Sequence, residues 1–133
     1  MPATHTNHRA QLKAILCGWG MPEDNAEITA EVLAWSDLHG VDSHGISMIP
    51  RYDELRRKGR VRMDARPRIV SQTPVSAVVD GGGGLGHVPA HFAMSTVIAK
   101  AALQIAMHAL LSRENPPWMS ASRPNTQLPV CQL

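Results

Sequence analysis

Between Gly40 and Tyr52 the chain reads Gly-Val-Asp-Ser-His-Gly-Ile-Ser-Met-Ile-Pro-Arg-Tyr, which gathers a hydroxyl, an imidazole, a guanidinium and a phenol in one short stretch. Gly40 has the freedom to stop one helix in the left-handed region, and Asp42 or Ser43 has the side-chain oxygen to cap the next. The backbone N–H groups of His44, Gly45 and Ile46 would then lie at a helix start, where unpaired donors and the helix dipole favour an anion. His44, Met48, Arg51, Tyr52 and Leu55 recur at spacings of three, four and seven, so a helix would bring them to one side. A small carboxylic acid suits such a site. The plainer alternative is a packed N-terminal histidine and a solvated arginine, and the short pattern alone favours it.

The wider sequence adds a more specific signal. Leu38-His39-Gly40-Val41-Asp42-Ser43-His44-Gly45, then Ile49-Pro50-Arg51-Tyr52, Pro67 to Asp80-Gly81, and Gly84-Leu85-Gly86 resemble the N-terminal part of the malate/L-lactate dehydrogenase family. These are the type 2 NAD(P)-dependent 2-hydroxyacid dehydrogenases, which do not have the Rossmann lactate dehydrogenase fold. The resemblance covers about residues 8–101, in the family's order and with its gaps. It implies an oxidoreductase moving hydride between NAD or NADP and a small 2-hydroxy or 2-oxo acid. It implies catalytic roles for Ser43 and His44, which line the substrate and nicotinamide side, and a substrate-binding wall at Tyr52, with Arg51 beside it. Many members carry arginine where this chain has Met48, a position from which arginine would pair with the substrate carboxylate. The resemblance also implies a homodimer.

Past about Ala102 the resemblance ends. Family members continue through a Ser-Asn-His segment, whose histidine is generally assigned as the acid/base, and then a nucleotide-binding half. The chain therefore reads as truncated relative to the family and inactive by itself, with a non-catalytic remnant or interaction module as the alternative.

Positioning the central stretch requires a scaffold, and the pattern predicts an α+β one. Leu12, Ile15, Leu16 and Trp19 mark a first helix that Gly20 can terminate. Asp24 or Asn25 can cap a second, whose apolar stripe is Ile28, Val32, Trp35 and Leu38. A third helix from about Ser43 to Lys58 contains Pro50, which demands a kink or a new first turn. Arg60 to Pro67 has no period and reads as a mobile basic connection. Arg68–Gln72 and Val75–Asp80 are dense in β-branched residues and predict a hairpin about Thr73-Pro74. A last helix follows Gly86, with Ala90, Met94, Val97, Ile98 and Ala101 on it. An N-terminal domain over 1–111 and a polar, Pro-rich, disordered tail over 112–133 complete the expected layout.

Other chemistries find less support. The glycines from Gly81 to Gly86 form no Gly-x-Gly-x-x-Gly register with an acid ~20 residues on, and no Lys-Ser/Thr follows, so neither a Rossmann nor a P-loop phosphate site is indicated. His87 and His91 stand four apart, but without a third ligand they read as surface histidines rather than a metal site. The basic residues from Arg51 to Arg68 lack interleaved aromatics and read as a solvated helix end, not a nucleic-acid surface. The chain has 133 residues, 44% of them hydrophobic, and a net charge of +2, which suits one soluble domain. No apolar run approaches the ~20 residues that span a bilayer, so no membrane association is expected. Cys17 and Cys131 form no disulfide or zinc spacing, which points to a reducing cytoplasm.

Overall fold

The computed structural model describes residues 5–113, in which α-helices, a strand pair and a further helix follow one another as the α+β reading expects. Helices α1 (His5–Gly18) and α2 (Glu23–Leu38) form the scaffold. Between them Gly20 adopts φ +90° and the N–H of Met21 donates to the carbonyl of Leu16 at 3.1 Å, the reversed pairing that closes a helix end. Neither Asp24 nor Asn25 caps α2; Pro22 precedes its first residue, and Ala26 N–H donates to the Pro22 carbonyl.

The buried face of α2 differs from the expected stripe. Ala26, Ala30, Leu33 and Ala34 pack with Leu12 and Leu16 of α1 in the core, while Val32, Trp35 and Leu38 are exposed. The alanines recur every four residues, so they lie in one row and let the two helices approach closely. A row of small residues carries little hydrophobic signal, and the larger apolar side chains beside it are left facing outward. Trp35 covers part of its ring by stacking on His39, with centroids 3.9 Å apart.

The single helix expected from Ser43 to Lys58 is three elements. Two 3-10 turns, Asp42–His44 and Ile46–Met48, lead into helix α3 (Ile49–Arg57). Pro50 sits in the first turn of α3, where its missing N–H costs nothing and its fixed φ already suits the helix. Of the two options open at Pro50, the chain takes the new first turn.

Arg60 to Pro67 makes contacts that the reading as a mobile connection does not anticipate. Met63 and Ala65 are buried, Val61 packs on the core, and Arg62 N–H donates to the Gly83 carbonyl at 2.9 Å. From α2, Asn25 donates its side-chain N–H to the Ala65 carbonyl at 3.1 Å, and Asp24 pairs with Arg66 at 2.7 Å. The sequence lacks a period here because the segment is held by irregular contacts with two other parts of the chain. Limited trypsin digestion should therefore spare the bonds after Arg60 and Arg62. Early cleavage at these arginines would show that the contacts do not hold in solution.

Strands β1 (Arg68–Gln72) and β2 (Ala77–Asp80) pair antiparallel, Arg68 opposite Asp80 and Gln72 opposite Ala77, with a bulge between Ile69 and Ser71. The hairpin is the expected one, but β2 starts at Ala77. Val75 and Ser76 belong to the turn, where both backbone N–H groups donate to Thr73 Oγ1. Helix α4 (His87–Arg113) returns along β2 and α2 and fixes Lys100 Nζ on the Thr73 carbonyl at 2.7 Å. Its Met94, Val97, Ile98, Leu103 and Ile105 are exposed, as are Val70 and Val78 of the hairpin. From His87 to Met107, α4 is long and apolar enough to cross a bilayer by length and composition, although no uninterrupted apolar run reaches that length. Beyond Arg113 the expected tail lies outside the described residues.

Candidate functional site

The last turn of α2 leads through Gly40, at φ +72°, into the two 3-10 turns that carry Ser43 and His44. A positive φ there lets the chain reverse immediately after the helix. Ser43 Oγ lies 2.8 Å from His44 Nδ1, and both side chains are exposed. The pair engages one ring nitrogen and leaves Nε2 to meet an incoming molecule. A serine hydroxyl can donate or accept, so it supports either tautomer of the ring.

Of the N–H groups of His44 to Ile46, expected to form an anion site, those of His44 and Ile46 are already engaged from within the protein. His44 N–H donates to the Val41 carbonyl at 2.9 Å, and Ile46 N–H donates to Asp37 Oδ2 at 2.8 Å. His8 Nε2 of α1 lies 2.7 Å from the same carboxylate oxygen. Asp42 accepts a hydrogen bond from Ser47 through its backbone carbonyl and does not cap the turn with its side chain.

The remaining candidates do not converge on one side of a helix, because the backbone breaks at Gly45. Arg51 is exposed and pairs with Glu54 on its own helix at 2.7 Å, so its guanidinium is engaged away from the Ser43–His44 pair. Met48 and Tyr52 pack against the core. Met48 therefore serves as a packing residue where an arginine could reach substrate. Burial pushes the Tyr52 phenol up from its ordinary range.

His87 is not a surface histidine. Its ring meets Tyr52 edge-on, with centroids 5.9 Å apart, and Nδ1 is buried without a hydrogen-bond partner. Burial lowers its pKa from the ordinary 6.5, because the charged ring would have to give up water. A depressed histidine pKa contributes stability that is present above the unfolded value and lost as pH falls through the folded one. Thermal stability should accordingly drop on acidification below about pH 6.5, and drop less in His87→Phe. Equal acid sensitivity in the variant would show that His87 is not responsible. His91, by contrast, is exposed as expected.

The glycine run does not fit a dinucleotide. Gly82 N–H donates to Asp80 Oδ1 at 2.9 Å, and this bond, with the Arg68 guanidinium, holds the Asp80 carboxyl below the usual carboxylate range. A methyl group on Gly84 would stand 2.9 Å from Ala65 Cβ, so the glycines let this loop close on the 61–66 segment. A loop so occupied presents no cradle for a pyrophosphate. Among the described residues no His, Cys, Asp and Glu cluster is placed to hold a metal. Surface grooves of 320 Å³, lined in part by Asp24, Arg66 and His91, and of 440 Å³, lined in part by Arg9, Glu31 and His91, do not include Ser43, His44 or Tyr52.

Sequence reasoning missed Asp37, His8 and the burial of His87. For Asp37 a signal was present: an acid in the last turn of a helix opposes the helix dipole and needs some other partner.

The malate/L-lactate dehydrogenase family profile matches residues 3–115, a longer stretch than the motifs alone delimit. L-sulfolactate dehydrogenase of Methanocaldococcus jannaschii is 38% identical over 95 residues, which cover 71% of this chain and 28% of that protein. Malate dehydrogenase of Pyrococcus horikoshii is 37% identical over 87 residues, covering 65% of this chain and 24% of that one. The solved structure of the M. jannaschii sulfolactate dehydrogenase superposes with a TM-score of 0.73 at 36% identity, over 77% of this chain and 30% of the other. The chain thus spans between a quarter and a third of the length of these relatives. With the Ser43–His44 pair set in its matching segment, the chain belongs to the malate/L-lactate dehydrogenase family.

Proposed function

We propose that this chain supplies the substrate-side wall of an NAD(P)-dependent 2-hydroxyacid dehydrogenase, acting on a small 2-hydroxy or 2-oxo acid. The observation that carries this reading is the exposed Ser43–His44 pair within the family segment. With Ser43 donating to Nδ1, His44 holds its proton on Nε2 and can donate a hydrogen bond to the oxygen of a 2-oxo acid, proton transfer itself falling to the histidine of the family's Ser-Asn-His segment. With Ser43 accepting, Nε2 is unprotonated and can accept a hydrogen bond from the hydroxyl of a 2-hydroxy acid. The serine thus holds the ring in place through both directions of the reaction. NAD or NADP would take or give the hydride, and the described residues form no cradle for it. Arg51 and Tyr52 complete the wall on this reading, Tyr52 by donating a hydrogen bond and Arg51 after exchanging Glu54 for the substrate carboxylate.

The exposed apolar surface of α4 and the hairpin favours a second reading, a non-catalytic remnant or interaction module. Co-folding the chain with the portion of the M. jannaschii sulfolactate dehydrogenase that follows the matched segment separates the two. Oxidation of NADH or NADPH by pyruvate or oxaloacetate in the reconstituted protein, lost in His44→Ala, supports the enzyme. Absence of oxidation in a complex that has assembled overturns it.

A further inference from the structure

We propose that Asp37 is a positioning residue for the Ser43–His44 pair: its carboxylate clamps the Gly45-Ile46 backbone and so fixes the direction in which the imidazole is presented. The inference rests on the dehydrogenase reading for its functional meaning, while its geometry stands apart from it.

Three observations meet at this carboxylate. Oδ2 accepts the Ile46 N–H at 2.8 Å, immediately after the Ser43-His44-Gly45 segment. The same oxygen lies 2.7 Å from His8 Nε2, which brings α1 onto the end of α2; each of the two side chains is only 20% exposed. Gly45 supplies the third, because a Cβ at that position would overlap the Asp37 carboxyl group. Glycine at this position therefore answers a need for space beside the carboxylate.

The placement of Asp37 makes sense only through these contacts. It lies in the last turn of α2, where its charge opposes the helix dipole, and that local cost is offset by the hydrogen bonds across to the motif. Two consecutive 3-10 turns have few internal hydrogen bonds to hold them. Without an external tie the Ser43–His44 pair would sample many directions, and a group that orients substrate loses efficiency when its geometry is loose. Asp37 touches neither ring nor hydroxyl; it acts on them through the backbone of Gly45 and Ile46.

The test uses the 133-residue chain and needs no turnover. In the unmodified protein the Ile46 amide should exchange with deuterium about tenfold or more slowly than an unbonded exposed amide, reflecting a charge-assisted bond. Exchange at the unprotected rate would overturn the clamp outright, whatever any variant does. In Asp37→Ala that protection should vanish, and long-range proton–nitrogen spectra of His44 should shift toward the tautomer mixture of free histidine, while the Leu12, Leu16 and Leu33 methyl signals stay in place. Asp37→Asn keeps an acceptor for the Ile46 N–H and should restore both the protection and the His44 spectrum. A His44 spectrum unchanged in Asp37→Ala, with native methyl signals, would overturn the positioning role, as would Asp37→Asn behaving like Asp37→Ala. A clamp that passes these tests in a protein that fails to turn over after reconstitution would leave the positioning intact and remove only the enzymatic reading.

Discussion

Assayed alone, the 133-residue chain should show no measurable oxidation of NADH or NADPH by pyruvate, oxaloacetate or related 2-oxo acids. Orientation of the two reactants and proton transfer each supply several powers of ten to such a reaction. The chain presents a proton-carrying pair at Ser43 and His44, but the glycine loop that might have met a pyrophosphate is closed by Asp80 and by the Ala65 segment. A hydride donor free in solution would gain no orientation from these residues. In the reconstituted protein, activity should appear, and His44→Ala should lower kcat/KM by about 10²- to 10³-fold, the range for loss of one positioned hydrogen-bond donor at the reacting oxygen. His87→Phe should leave more activity than His44→Ala, because His87 supports the Tyr52 ring rather than meeting substrate. Turnover by the chain alone that disappears in His44→Ala would show that these residues suffice.

The family and the order of elements could be read from the sequence because they rest on local signals. Gly20 and Gly40 do adopt positive φ where a stop was expected, and the β-branched runs do pair. The Ser43–His44 contact follows from adjacency in the chain. What the sequence did not disclose depends on residues far apart. Asp37 reaches Ile46 nine positions away and His8 twenty-nine positions away. Asn25 is spent on Ala65 and not on a cap, forty positions away. The glycine run resembles a ligand loop locally, and only the position of Ala65 reveals that protein fills the space a ligand would need. Arg51 is similar: a guanidinium beside a motif suggests substrate, whereas Glu54 one turn on already holds it.

Leu33→Ala should be among the most damaging single substitutions, and Trp35→Ala should be nearly silent, although periodicity alone ranks them the other way. Leu33 is 0% exposed between the two scaffold helices, whereas Trp35 is 54% exposed and rests on His39. Cutting a buried leucine to alanine loses the transfer free energy of the removed carbons and leaves a cavity, about 2–5 kcal/mol together. Here the cavity cannot readily collapse, because the neighbouring positions on α2 are alanines that have nothing to extend into it. Set against a typical total of about 5–15 kcal/mol, that loss would leave a large part of the population unfolded at moderate urea. Trp35→Ala should cost less than about 1 kcal/mol, as expected for a side chain outside the core. Urea titrations of the three proteins decide the matter through their midpoints, provided the slopes agree, since a changed slope would signal a different unfolded or native state. Equal losses, or a larger one for Trp35→Ala, would mean that α2 turns its large apolar residues inward and that the row of alanines faces water.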